Sequence, residues 1–141
     1  TIHFQKIYIK NGITVYDSEK QTGLLRHIYL RLAEATGEVM VCAVINGEDL
    51  PHKNELIEKL TEIPSVKSIV LNINRDRTNV ILGKECVTVW GNDCIYDVLC
   101  GVKVRLSPLS FYQVNHDMAQ QLYEKAAEYA CLSGKETVLD M

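Results

Sequence analysis

The sequence predicts an α+β fold: a mostly antiparallel sheet with one helix, followed by a second helix and the start of another strand. Short apolar segments rich in β-branched residues recur between positions 25 and 106, with glycines between several of them. Two other stretches, 49–64 and 115–127, space their apolar residues at helical intervals. The 141 residues leave room for one domain and at most an incomplete second one.

Composition and charge narrow the function classes. Hydrophobic residues make up 47% of the chain and charged residues 23%, which is typical of a globular protein. The longest unbroken apolar run, 39–45, is far shorter than the roughly 20 residues of a membrane helix. The first residues show no basic-then-apolar pattern, so we expect no secretory signal. With a net charge of −3, the chain as a whole is not basic, so its overall charge does not favour nucleic-acid binding. A basic patch on one face could still bind nucleic acid. We expect a cytoplasmic protein without a membrane partner.

The cysteines and histidines show no ligand spacing. The five cysteines, at positions 42, 86, 94, 100 and 131, form no C-x-x-C pair and no zinc-finger pattern. We therefore expect reduced thiols that serve as small core residues, and no metal in this chain. His52 and His116 have no partner at ligand spacing, so we expect surface or capping roles for both.

The first half of the chain contains a predicted hairpin. Residues 1–17 mix the strand and helix periods and favour a strand only through their β-branched content. Segments 25–32 and 39–45 flank a polar link that contains a Thr-Gly pair, which predicts an antiparallel hairpin. The second segment barely alternates, so we expect it to be covered on both faces.

A helix and a series of strands follow. Leu56, Leu60 and Ile63 fall at helical spacing before Pro64, which ends the run. The segment VKSIVLNIN is a predicted strand. The segments NVIL, CVTVW, CIYDVL and VKVRL come at short intervals and predict a meander of short strands.

The pattern changes after Pro108. Asn115 is a good N-cap, Gly134 lies just past the expected end of a helix, and an apolar stripe runs between them. The stripe consists of Met118, Ala119, Leu122, Ala126 and Ala127. The last five residues, TVLDM, begin a strand inside which the chain ends. We therefore expect the sequence to be an excised piece of a longer protein.

This C-terminal part resembles one enzyme family. The matching positions of its pattern S-P-x-x-F-x-Q-V-N are Ser107, Pro108, Phe111, Gln113, Val114 and Asn115. In S-adenosylmethionine-dependent RNA uracil-5-methyltransferases this pattern precedes a helix and a V-[LI]-D strand, matched here at 138–140. Upstream, GLLRHIYLR, TGEVMVCAVING, LPHK and SIVLNINRDRTNVILG resemble the central domain of the bacterial ribosomal-RNA members, so the similarity covers residues 14–141. Leu109 departs from the family, because many members carry a basic residue there.

The resemblance implies two domains and a reaction. Residues 1–108 would be the C-terminal part of a central domain, and 109–141 the first helix and strand of a Rossmann-like methyltransferase domain, truncated before its glycine-rich loop. The reaction would transfer a methyl group from S-adenosylmethionine to C5 of uridine after a cysteine thiolate adds to C6. The nucleophile and the base would lie beyond residue 141, so this chain is expected to hold no catalytic residue and to be inactive alone.

The resemblance also implies partners and cofactors. The expected substrate of the parent enzyme is ribosomal RNA, with transfer RNA as the alternative, and the parent is expected to be a monomer. An iron–sulfur cluster, where the parent carries one, would have its cysteines upstream of Thr1. The alternative function, from another class, is a noncatalytic RNA-binding or interdomain packing module.

Two residues before the second helix are the candidate site. By resemblance, Gln113 contacts S-adenosylmethionine and Phe111 packs against the target uracil. An aromatic ring can stack on an extruded base, and an amide offers a donor and an acceptor. In an extended segment the two side chains would face one cleft. The alternative is that Phe111 is a core aromatic and Gln113 a solvated loop residue.

A basic patch is the candidate RNA contact. It consists of residues on the first strand and in the NRDRT link: Arg26, His27, Arg31, Arg75 and Arg77. Arginine contacts to phosphate supply most of the sequence-independent affinity for nucleic acid. The alternative is an ordinary solvated sheet face with acidic neighbours.

Overall fold

The computed structural model of the chain describes residues 12–139. Its elements in chain order are β1 (Leu25–Leu32), β2 (Val39–Ile45), α1 (Lys53–Thr61), β3 (Val66–Ile73), β4 (Glu85–Gly91), β5 (Ile95–Leu99), β6 (Val102–Leu106) and α2 (His116–Ala130). The predicted α+β class is confirmed. Most of the opening stretch, residues 1–11, lies outside the described residues, as do Asp140 and Met141.

The main sheet has the strand order β1-β2-β3-β4. The predicted hairpin is confirmed, because β1 and β2 pair in antiparallel register with Leu30 opposite Val41. The β3–β4 pair is also antiparallel. The β2–β3 pair is parallel because α1 forms the crossover between them. The sheet is therefore mixed, with antiparallel pairs in the majority.

The core has two halves, one on each face of this sheet. On one face, Leu56 and Leu60 of α1 pack in a cluster with Val41. On the other face, Ile95 and Leu106 of the β5–β6 hairpin pack in a cluster with Met40. Burial of each such side chain stabilises the fold by about 1.5–3 kcal/mol. The expectation that the second apolar segment is covered on both faces is thus confirmed.

The predicted meander is wrong in two respects. The segment NVIL is part of the irregular loop 74–84, and β4 pairs with β3, whereas β5 pairs with β6 in a separate sheet. The backbone carbonyls of this loop are hydrogen-bonded without strand pairing. The buried Asn74 side chain donates through Nδ2 to the carbonyl oxygens of Val80 and Ile81, at 2.8 and 3.1 Å.

The second helix begins as predicted and ends before Gly134. The Asn115 side chain accepts a hydrogen bond from the Met118 amide at 3.1 Å, which is the predicted N-cap. The C-cap is Cys131, in the left-handed conformation, and Gly134 lies three residues beyond it. Residues 137–139 form no strand, since a parallel strand forms only beside a partner strand. The Rossmann-like continuation and the domain boundary at 108 therefore stay predictions. Neither helix among residues 12–139 is long and apolar enough to cross a membrane.

Candidate functional site

A cleft of about 430 Å³ opens where the segment between β6 and α2 passes the end of β1. The polar residues that line it include Tyr29, Arg31, Asp97, Tyr112, Gln113 and His116. We call it the Gln113 cleft. It combines one cation, carboxylates, two phenols and an amide, so it can receive a ligand that carries several hydrogen-bonding groups.

The structure places the two motif residues on either side of Tyr112. Gln113 is exposed and lines the cleft, and its side chain makes no hydrogen bond to any residue between 12 and 139. Phe111 is 85% exposed and is not among the lining residues. The alternative that Phe111 is a core aromatic therefore does not hold within the described chain. Its ring is available to stack, but the structure does not bring it into the same cleft as Gln113.

Asp97 organises the base of the cleft, and the sequence analysis missed it. Its carboxylate is fully buried and accepts hydrogen bonds from the amides of Glu34, Ala35 and Val98 at 3.1, 2.8 and 2.9 Å. The Tyr112 hydroxyl donates a fourth bond, at 2.9 Å. The signal that could have found this residue is an acidic position in the middle of the apolar segment CIYDVL.

These hydrogen bonds set the charge states of Asp97 and Tyr112. Burial alone would raise the pKa of Asp97, but the bonds from Ala35, Val98, Tyr112 and Glu34 outweigh it, so the pKa lies below 3.8. Burial and the bond to Asp97 raise the pKa of Tyr112 to about 12. At neutral pH the cleft therefore has a fixed carboxylate beneath a protonated phenol.

His116 corrects the expectation of a surface or capping role, since its side chain is largely buried and Asn115 is the N-cap of α2. Its side chain is only 14% exposed, and its Nε2 lies 3.0 Å from the Val98 carbonyl oxygen and 3.9 Å from Asp97 Oδ2. The carbonyl is an acceptor, so Nε2 carries the proton in this arrangement. The ring thereby joins the start of α2 to β5. His52 lies on the surface as expected, just before α1.

Stability should depend on pH through Asp97. Because its folded-state pKa is lowered, the carboxylate stabilises the fold above the ordinary value of 3.8, and this contribution is lost as the pH falls through the lowered value. We expect the free energy of unfolding, measured with urea between about pH 5 and about pH 2, to fall less steeply in Asp97→Asn than in the unmodified protein. Asp93→Asn, at an exposed position, should keep the original slope, and equal slopes in all three proteins would contradict the assignment.

The predicted basic patch is divided between two places. At one end of β1, Arg31 is only 9% exposed and donates through Nη2 to the Tyr29 hydroxyl and the Ser110 carbonyl, both at 2.7 Å. It thereby holds the segment that carries Phe111 and Gln113 against the strand. The contact between the Arg31 guanidinium and Ser110 therefore positions this segment at the Gln113 cleft.

At the other end of β1, Arg26 and His27 lie beside the loop 74–84, which itself carries Arg75 and Arg77. Arg26 donates to three carbonyls of that loop, and the side chains of His27 and Arg77 are exposed. Arg75 points elsewhere and lies 3.3 Å from Glu48. The five residues thus do not form one continuous surface.

The cysteines remain separate thiols. Cys42 and Cys94 are buried and Cys86 is half-buried, as expected for core thiols, whereas Cys100 and Cys131 are exposed. Burial is the main cause that raises the pKa of Cys42 to about 12. Between residues 12 and 139 no group of three or more His, Cys, Asp or Glu side chains is placed to hold a metal ion.

The sequence of this chain is similar to segments of several RNA methyltransferases. No protein-family model matches the chain. An uncharacterized RNA methyltransferase of Caldanaerobacter subterraneus subsp. tengcongensis is 50% identical over 130 residues, which are 92% of this chain and 29% of that protein. Another from Halalkalibacterium halodurans is 49% identical over 130 residues, 92% of this chain and 28% of that protein. One from Clostridium tetani is 47% identical over 132 residues, 93% of this chain and 29% of that protein.

A solved structure matches the fold. The Pyrococcus abyssi tRNA (uracil-54, C5)-methyltransferase, in complex with S-adenosyl-L-homocysteine, aligns with a TM-score of 0.73 and 28% identity, over 89% of this chain and 29% of that one. The chain thus spans less than a third of the length of the relatives it matches. The predicted resemblance is confirmed: in sequence and in fold, this chain is similar to one segment of RNA methyltransferases.

Proposed function

We propose that the chain is a segment of an enzyme that transfers a methyl group from S-adenosylmethionine to C5 of uridine in RNA. The observation that carries the proposal is the fold match, which covers 89% of the chain, to a methyltransferase named for uracil C5. The motif positions support it, because the exposed Phe111 and Gln113 directly precede α2. The catalytic cysteine and base belong to the proposed remainder of the enzyme, so the segment alone is proposed to be inactive.

The residues present fit a methyl donor at one point. The Gln113 amide is exposed in an open cleft and has no hydrogen bond to residues 12–139, so its donor and acceptor are both free for a polar ligand. S-adenosylmethionine supplies the methyl group when it is bound, and Gln113 would hold its polar part. Asp97, Tyr112 and Arg31 would keep the Gln113 segment in place.

The uridine side of the site would be provided by Phe111. A base must leave its stack before its C5 atom can react, and an exposed aromatic ring offers a replacement stacking partner. Ribosomal RNA is the proposed substrate on the strength of the central-domain motifs. The solved relative is named for transfer RNA, so both RNAs must be tested.

Release of the C5 hydrogen tests the reaction directly. Methylation at C5 must expel that hydrogen, so the full-length enzyme should release one tritium per methyl group transferred to RNA labelled at uridine C5. RNA labelled at C6 is the control, because that hydrogen stays on the ring. Ribosomal and transfer RNA are assayed in parallel to identify the substrate. Methyl transfer without tritium release from either RNA would overturn C5 of uridine as the methylated atom. No methyl transfer to either RNA would leave the RNA-binding or packing module as the better description.

A further inference from the structure

A second cleft, of about 350 Å³, lies between the start of β1 and the loop 74–84. It is lined by Tyr16, Arg26, His27, Arg77, Thr78 and Asn79, together with two neutral polar residues. We call it the Arg77 cleft. None of the described residues that line it is Asp or Glu, whereas the Gln113 cleft contains both Glu34 and Asp97. In a chain with a net charge of −3, this is a local site of positive charge.

The wall of the Arg77 cleft is held in place by internal bonds. Arg26 Nη1 donates to the carbonyls of Asn74 and Asp76, both at 2.8 Å, and Nη2 donates to Thr78 at 2.9 Å. The guanidinium also lies over the Tyr16 ring, 4.5 Å from its centre. These contacts fix the backbone on either side of Arg77. A ligand would therefore meet a preorganised loop, which reduces the entropy lost on binding.

Two outer side chains of the cleft, one guanidinium and one imidazole, are free to bind. His27 and Arg77 are exposed, and neither makes a hydrogen bond or an ion pair with the residues from 12 to 139. Residues 1–11 contain no Asp or Glu that could neutralise them. The nearby Asp17 accepts bonds from the amides of residues 19 and 20 and pairs with Lys20. A free guanidinium with five donors matches the geometry of a phosphate group.

We propose that the Arg77 cleft binds a backbone phosphate of the RNA substrate at a nucleotide other than the methylated uridine. The inference rests on the proposed function, which makes RNA the partner. Arg26 and Arg31, which mark the two clefts, are five residues apart on β1, or about 16 Å along an extended strand. Arg77 neutralises the phosphate and the His27 ring offers it a hydrogen bond, while Asn79 and Thr78 offer polar groups for the adjoining sugar. Such a contact contributes affinity and orientation, not sequence readout.

The test is RNA binding by the full-length protein over a series of salt concentrations. Arg77→Gln should weaken binding about tenfold, as expected for loss of a charged hydrogen bond. It should also reduce the slope of log affinity against log salt by roughly 0.7–1. The matched control is Arg105→Gln, because Arg105 is an exposed arginine on the β5–β6 hairpin that bonds to Asp93. Melting temperatures of both variants verify that the fold is intact.

The outcomes separate this inference from the proposed function. A loss of affinity and salt slope in Arg77→Gln alone supports the cleft. Binding by Arg77→Gln that equals that of the unmodified protein, or that falls no further than in Arg105→Gln, overturns it. Tritium release is measured on the unmodified protein separately. If that protein binds RNA through Arg77 but releases no C5 hydrogen, the proposed function fails and the phosphate site stands.

Discussion

Asp97→Ala is expected to lower the free energy of unfolding by about 3–5 kcal/mol, because it removes a buried acceptor that several part-buried donors share. The amides of Glu34 and Ala35 and the hydroxyl of Tyr112 all depend on this carboxylate. The loss should be visible in chemical denaturation as a lower midpoint with little change in slope.

Two variants separate this explanation from a general effect of a lost charge. Asp93→Ala removes an exposed carboxylate a few residues away and should leave the midpoint unchanged. Tyr112→Phe removes only the hydroxyl and should cost about 1.5–3 kcal/mol, the value for one hydrogen bond to a charged group. An Asp97→Ala protein as stable as Asp93→Ala would show that the buried carboxylate is not the anchor of the cleft.

Phe111→Ala in the full-length enzyme is expected to reduce kcat/KM for RNA roughly 5- to 150-fold. This corresponds to a loss of about 1–3 kcal/mol of transition-state stabilisation, the value for one base-stacking contact. Since Phe111 is 85% exposed among residues 12–139, we expect the melting temperature to change little. Had the ring been part of the core, the variant would instead lose about 3–5 kcal/mol of folding stability. Methylation rate and melting temperature, measured on the same protein, distinguish the two roles.

Gln113→Ala should act on the other substrate. We expect it to raise the apparent KM for S-adenosylmethionine roughly 2- to 12-fold, which corresponds to the loss of about 0.5–1.5 kcal/mol for one neutral hydrogen bond.

Phe111→Tyr is the matched control for base stacking in the Phe111→Ala experiment, because it keeps the ring and should retain most of the activity. A Phe111→Ala enzyme that methylates normally would exclude a role for the ring in handling uridine.

Several features of the fold could be predicted from the sequence because they depend on neighbours within a few residues. The N-cap at Asn115 is a contact between positions three residues apart. The β1–β2 hairpin and the two-sided burial of β2 follow from local alternation and from its absence. The motif that carries Phe111 and Gln113 is likewise local, so the resemblance to RNA methyltransferases could be recognised without a structure.

The sequence did not reveal which polar groups are already occupied. The segment NVIL has strand-forming residues, yet Asn74 binds its carbonyls and it forms a loop. Asp97 lies in β5, where the alternation of side chains along the strand gives no sign that this residue has a special role. What makes it an anchor is the arrival of amides from the β1–β2 link, 62 and 63 residues earlier in the chain.

The sequence by itself determined most of the element types, the candidate motif and the presence of basic residues on β1 and in the NRDRT link. Only the tertiary structure decided what those basic residues do. Arg26 meets carbonyls 48–52 residues away, and Arg31 meets a carbonyl 79 residues away. Arg77 is left with its donors free among residues 12–139. The reason is physical: a charge contributes to binding only when the folded chain has not already supplied its partner, and long-range partners are set by packing.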